Sequence, residues 1–199
     1  MVNRMDTPEP LPISDTLFAV VDLETTGFNP AKDRIVQMAA VVMDGRGRVV
    51  DTFDTVVRPE SPDQYEHGAE HVHGISREMV QNGMPLHQAL QKIWSITEGR
   101  VFTAHNARFD VSFLEAESKR VGMGRQIDRY LDTLALARSA DKEKQRKHSL
   151  EALCEHYGVE RERAHEAMSD AKATAQILMQ LISELGVSSQ DQLPGFDSE

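Results

Sequence analysis

The sequence predicts an α/β protein: a five-stranded mixed sheet, an antiparallel meander followed by parallel strands, flanked by helices. Three observations carry this reading. The first third of the chain holds three apolar runs joined by short polar links, the pattern of sequential strands. The remainder alternates short apolar runs with stretches of helical period, which layers helices on the faces of a sheet. The length, 199 residues, suits one domain able to bury its own core.

The elements follow in order. Residues 17–21 are an apolar run ending at Asp22, read as a buried strand that Thr25-Thr26-Gly27 breaks. Residues 35–43 form a second strand, Gly45-Arg46-Gly47 turns the chain, and residues 49–57 return with Asp51 and Asp54 outward. Ser76 is placed to cap a short helix over 76–81. Pro85 opens a helix whose Leu86, Leu90, Ile93 and Trp94 share one face. A short strand over 101–104 precedes a helix with Phe109, Phe113, Leu114 and Ala116 on its buried side. Residues 131–137 lead from a strand into a helix, and Ser149 caps another that carries Leu150, Leu153 and Tyr157. The last helix spans about 167–185, with Ala171, Ala175, Leu178, Ile182 and Leu185 inward. Residues 1–16 read as a flexible leader, 17–186 as the folded domain, and 187–199 as a tail.

Composition narrows the class. No apolar run approaches the ~20 residues that cross a bilayer, and the first 15 residues lack an apolar signal core. A cytoplasmic protein with no membrane partner is expected. The single cysteine, Cys154, cannot form an internal disulfide, and its neighbours Leu150 and Leu153 suggest a buried thiol. The net charge of −10 argues against a protein that coats nucleic acid. It argues less against a metallonuclease, whose gathered carboxylates are offset by bound cations.

The chemistry lies in the acids. Asp22 and Glu24 form an acid-x-acid pair that a strand projects to one face. With 32 acids in the chain, about five such pairs arise by chance, so the context decides: an apolar strand delivers this one into a tight turn. Asp110 follows a short strand at a helix start, and Asp170 lies in the first turn of the last helix. Each has an ordinary explanation as a partner of the helix dipole. Together, four carboxylates from three distant segments can converge on two divalent cations, for which Mg²⁺ and Mn²⁺ are the expected hard-ligand ions. His165 nearby can take a proton from an attacking water, because histidine titrates near neutrality.

These segments also carry a resemblance. Asp22-Leu23-Glu24-Thr25-Thr26-Gly27, then His105-Asn106-Ala107-Arg108-Phe109-Asp110, then residues 165–170 resemble the three motifs of the DEDDh 3′→5′ exonucleases. The likeness is greatest to the proofreading (epsilon) subunits of bacterial DNA polymerase III and their stand-alone relatives. It covers residues 17–185, and Val72-His73-Gly74-Ile75 and Leu131-Asp132-Thr133-Leu134 look like further family features. The resemblance implies a ribonuclease H-like fold and metal-dependent removal of nucleoside monophosphates from DNA 3′ ends, in proofreading or repair, with single-stranded or mismatched ends preferred. It implies that Asp22, Glu24 and Asp170 hold one metal, that Asp22 bridges to a second, and that Asp110 assists through water. His165 stands five residues before Asp170, as in the histidine subclass, and would be the general base. Thr25, Thr26, His73, Asn106 and Phe109 would line the terminal-nucleotide pocket, although Phe109 suits the core equally well. The motifs do not report the sugar, so an RNA-trimming exonuclease stays open, as does an inactive adaptor.

Two further segments bear on partners. Residues 138–148 hold Arg138, Lys142, Lys144, Arg146 and Lys147 with two acids, an excess of positive charge expected either as a solvated face or on strand phosphates. Gln192-Leu193-Pro194-Gly195-Phe196 is similar to the short peptide with which replication proteins bind the sliding clamp, and alternatively is a disordered end. A polymerase subunit is the other partner the resemblance implies.

Overall fold

The structure, a computed structural model, describes residues 10–61, 65–194 and 196. Its centre is a six-stranded sheet. Strands β1 (Leu17–Thr25), β2 (Ile35–Asp44) and β3 (Val49–Arg58) form the antiparallel meander. β4 (Met84–Pro85) lies parallel to the end of β3, while β5 (Val101–Ala104) and β6 (Leu131–Asp132) extend the other side in parallel. The order across the sheet is β4-β3-β2-β1-β5-β6. Helices α3 (Leu86–Thr97) and α4 (Arg108–Arg120) cover one face; α5 (Thr133–Ala140), α6 (Leu150–Tyr157) and α7 (Ala167–Leu185) cover the other. Two short helices, α1 (Glu70–His73) and α2 (Arg77–Gln81), lie between β3 and β4.

The sequence explains this layering. β2 is buried along its whole length because helices press on both of its faces, and a strand covered on both sides must be apolar at nearly every position. Along β1 the side chains alternate. Ala19, Val21 and Leu23 enter the core under α3 and α4; Phe18 and Val20 enter the core under α7. The same alternation carries Asp22 and Glu24 to the α7 face. Pairing between β1 and β5 is registered from Phe18↔Val101 to Val20↔Thr103, so the acidic end of β1 stands beyond it, beside the start of α4. α7 meets the sheet through Ala167, Ala171 and Ala175, whose small side chains allow close approach. It ends at Gly186, whose φ of 67° closes the helix in the left-handed conformation.

The structure corrects the expectation of five strands. The sixth, β4, has two residues, too short for any periodicity to register, and α1 escapes reading for the same reason. In α4, Phe109 and Ala116 are only half-buried; Val111, Glu117 and Ser118 are buried instead. Ser76 and Ser149 cap their helices by accepting from the amides of Met79 and Ala152.

The chain ends differ most from expectation. Residues 11–13, read as leader, pair with 188–190: the Ile13 amide donates to the Ser188 carbonyl at 2.8 Å, and the Gln190 amide to the Leu11 carbonyl at 2.8 Å. A Cβ on Gly45 would meet the Ile13 carbonyl oxygen at 1.6 Å, so the β2–β3 turn holds this segment through a backbone approach only glycine permits. Leu193 is fully buried in the core under α7, and Phe196 packs against the same cluster. The two apolar anchors of the clamp-like segment are therefore spent within the domain; Gly195 lies outside the described residues. No helix among the described residues is long and apolar enough to cross a membrane.

Candidate active site

The acids converge. Asp22 and Glu24 come from the end of β1, Asp110 from the first turn of α4 and Asp170 from the first turn of α7. Ligand atoms of Glu24, His165 and Asp170 all lie within 4.8 Å of one another. Asp22 is near Asp110, Asp170 and Glu24, whose charges all raise its pKa. His165 is exposed, in the left-handed conformation at φ 62°, and its amide donates to Asp170 Oδ2 at 3.3 Å. The first turn of α7 is also held from the sheet: the Ala167 amide donates to Gln37 Oε1 at 3.3 Å, and Gln37 stands opposite Glu24 on β2.

So much like charge in one place shifts the acids. Burial, and then the charges of Asp110, Asp170 and Glu24, hold the Asp22 carboxyl well above the usual carboxylate range. Burial and Asp170 push Glu24 up to about 8. Asp110, 4% exposed, is raised by burial, while its own backbone amide and that of Leu23 work the other way. These are the marks of buried negative charge in want of a cation. The donor set, four carboxylates with one imidazole at the rim, is the hard oxygen set that divalent ions take. One cation of the chain is already there: Arg161 holds Asp170 with a shortest contact of 2.6 Å.

Of the expected pocket residues, Thr25 and Thr26 directly follow Glu24 in the chain, and Asn106 and Phe109 lie just before Asp110. Thr25 Oγ1 donates to the Gly27 carbonyl at 2.6 Å, and Thr26 binds Arg34 through its amide and hydroxyl, which fixes the turn after β1. Gly68 approaches so closely that a Cβ there would lie 2.3 Å from the Thr26 carbonyl oxygen. That contact brings the segment leading into α1 up to the turn. His73 Nδ1 accepts from the Ile75 amide at 3.0 Å, and burial lowers its pKa. Asn106 is exposed at φ 63°, and its amide donates to Asp132 Oδ1, which also caps α5. Phe109 packs on Phe113 at 4.8 Å between ring centroids and faces Phe28 at 6.4 Å.

Three residues at the site escaped the sequence reading. Phe28 is 91% exposed beside the threonine turn; an aromatic directly after a tight turn was its only signal. Gln37 was visible as the one polar residue inside the apolar run of β2. Arg161 gave no signal, because its partner Asp170 is nine residues away across an irregular segment. In the basic segment, Arg146 is committed elsewhere: it binds Glu184 at 2.7 Å and lies over the Tyr157 ring.

The Exonuclease family profile (RNase_T) matches residues 19–178. A PolC-type DNA polymerase III of Thermotoga maritima is 34% identical over 183 residues, 90% of this chain and 13% of the relative. The Staphylococcus aureus PolC-type DNA polymerase III is 30% identical over 189 residues, 94% of this chain and 13% of that protein. The chain thus spans about an eighth of the length of these relatives. Among solved structures, the nuclease domain of 3′hExo, a DEDDh family member bound to rAMP, superposes with a TM-score of 0.73 at 19% identity, covering 85% of this chain and 93% of that one. E. coli Exonuclease I in complex with a dT13 oligonucleotide gives 0.72 at 22% identity, covering 86% and 42%. The ribonuclease H-like α/β fold expected of the sequence is the fold of these neighbours. The matched residues run from the first acidic strand through the helix that bears Asp170, and the chain belongs to the exonuclease family.

Proposed function

We propose that the chain is a two-metal 3′→5′ exonuclease that removes nucleoside monophosphates from DNA ends, with single-stranded or mismatched ends preferred, in proofreading or repair. The observation that carries this reading is the convergence of Asp22, Glu24, Asp110 and Asp170 with His165 at one end of β1. Asp22, Glu24 and Asp170 would hold the first ion, Asp22 would bridge to the second, and Asp110 would act through water. Bound Mg²⁺ or Mn²⁺ would supply stabilisation of the attacking and leaving oxygens of the phosphodiester. His165 sits at the solvent edge of the cluster, where it can take the proton of the attacking water. Thr25, Thr26, His73 and Asn106 bound the space for the terminal nucleotide. Phe109 and the exposed Phe28 offer aromatic faces on which an unpaired base can stack. A paired end would first have to be unstacked to enter, which favours frayed or mismatched ends.

The PolC-type relatives support DNA as the substrate and a polymerase as a partner. Engagement of a sliding clamp through residues 192–196 would require Leu193 to leave the core, so this reading does not depend on it. The experiment is hydrolysis of a 5′-labelled single strand with Mg²⁺ or Mn²⁺, beside a matched RNA. Stepwise shortening of the labelled DNA supports the proposal. Faster loss of the RNA would transfer it to RNA trimming, and no metal-dependent loss of either would leave an inactive adaptor.

A further inference from the structure

Arg161 lies where the proposed site needs positive charge. Its Nε and Nη2 donate to Asp170 Oδ1 at 2.9 and 2.6 Å, and Nη2 also reaches Oδ2 at 2.6 Å. The His165 amide takes the remaining approach to Oδ2. The side chains of the pair are 13% and 8% exposed, so little water screens the contact. The same guanidinium works to lower the pKa of Asp22 and Glu24, against burial and the neighbouring acids. A carboxylate has about four lone-pair sites, and here four N–H contacts from three donor atoms fall on them. A divalent ion bound at ~2.0–2.2 Å needs one of those sites and repels an adjacent guanidinium. Arg161 and a metal therefore compete for Asp170.

We propose that Arg161 is a built-in counter-ion that occupies Asp170 when metal is absent and is displaced from it when metal binds. The inference rests on the reading of Asp170 as a metal ligand. The chain around Arg161 allows the exchange, because residues 159–166 have no helix or strand to fix them. That segment also carries His165, so release of Arg161 is tied to the seating of the proposed base. The arrangement holds the acids together before metal arrives, at a cost in metal affinity.

The test compares metal-stripped wild type, Arg161→Met, Arg161→Lys and Asp170→Asn. Mn²⁺ binding is followed by calorimetry, and thermal melting is followed in EDTA and in saturating Mn²⁺. Arg161→Met should bind Mn²⁺ about ten-fold tighter, the size expected when a charged bidentate competitor is removed. Arg161→Lys, a cation without the fork, should fall between. Arg161→Met should melt below wild type in EDTA, and the gap should close in Mn²⁺. Equal or weaker Mn²⁺ binding by Arg161→Met, with binding lost in Asp170→Asn, would overturn the proposal and leave the ligand assignment standing. A melting deficit of the same size with and without Mn²⁺ would mark Arg161 as a structural partner and also overturn it. Normal Mn²⁺ binding by Asp170→Asn would remove the ligand assignment and the proposal together.

Discussion

His165 lies exposed at the rim of the carboxylate cluster, Phe28 lies exposed just after the turn that follows β1, and each supports a distinct test. His165 touches the acids only through its amide and its position at their rim. His165→Ala should lower turnover by ~10²–10⁴, the usual contribution of a positioned proton acceptor, while Mn²⁺ binding measured by calorimetry stays close to wild type. Loss of metal binding in step with activity would make the imidazole a ligand instead of a base. Phe28→Ala should leave metal binding unchanged but weaken capture of a single strand by about 1–3 kcal/mol, the value of one base–aromatic stack. Fluorescence anisotropy of a labelled oligonucleotide in Ca²⁺ would measure this. The four acids and His165 could be read as candidates because their segments resemble known motifs. The aromatic partner and Arg161 were not, because exposure and contact across an irregular segment belong to the folded chain alone.

At the scale of elements, long and strongly patterned segments were the readable ones. The expected bounds of α7, 167–185, and of β5, 101–104, coincide with those observed. Their periodicity, apolar runs and flanking turns all point one way. β4 and α1 were missed because two and four residues carry no period, and tertiary pairing alone creates them. The basic stretch over 138–148 divides on inspection. Asp141 accepts from the amides of Gln145 and Arg146 and binds His148, folding the stretch into a tight loop, and Glu184 takes Arg146. Lys144 is not in that network of ion pairs. If this loop meets strand phosphates, Lys144→Glu should weaken oligonucleotide binding and reduce its salt slope by ~1. An unchanged slope would assign the loop to solvent, and a variant at Arg146 would report the fold instead.

For the whole molecule, residues 11–13 pair with 188–190 and Leu193 completes the core, a closure that the polar, glycine- and proline-containing sequence around them conceals. The acidic cluster sets a second global property. In the metal-free protein Glu24 titrates at about 8, against an ordinary value of 4.5. A folded-state pKa raised in this way stabilises the fold fully below about pH 4.5, and the stabilisation is lost as pH rises through 8. Melting temperature in EDTA should therefore fall between pH 5 and about 9, and saturating Mg²⁺ should suppress the fall, because metal binds the ionised carboxylates. Parallel curves with and without Mg²⁺ would mean that the ion does not bind this cluster.

The converged acids are proposed to perform metal-dependent cleavage from a 3′ end. The most direct measurement follows a 5′-labelled single-stranded DNA with wild type and Asp22→Ala, each in Mg²⁺, in Mn²⁺ and in EDTA, with circular dichroism confirming that both proteins are folded. The wild type should give a ladder shortened one nucleotide at a time with either metal and no shortening in EDTA, and Asp22→Ala should be slower by several decades, each decade being ~1.4 kcal/mol of transition-state stabilisation. Near-normal shortening by folded Asp22→Ala, or equal shortening by wild type in EDTA, would contradict it.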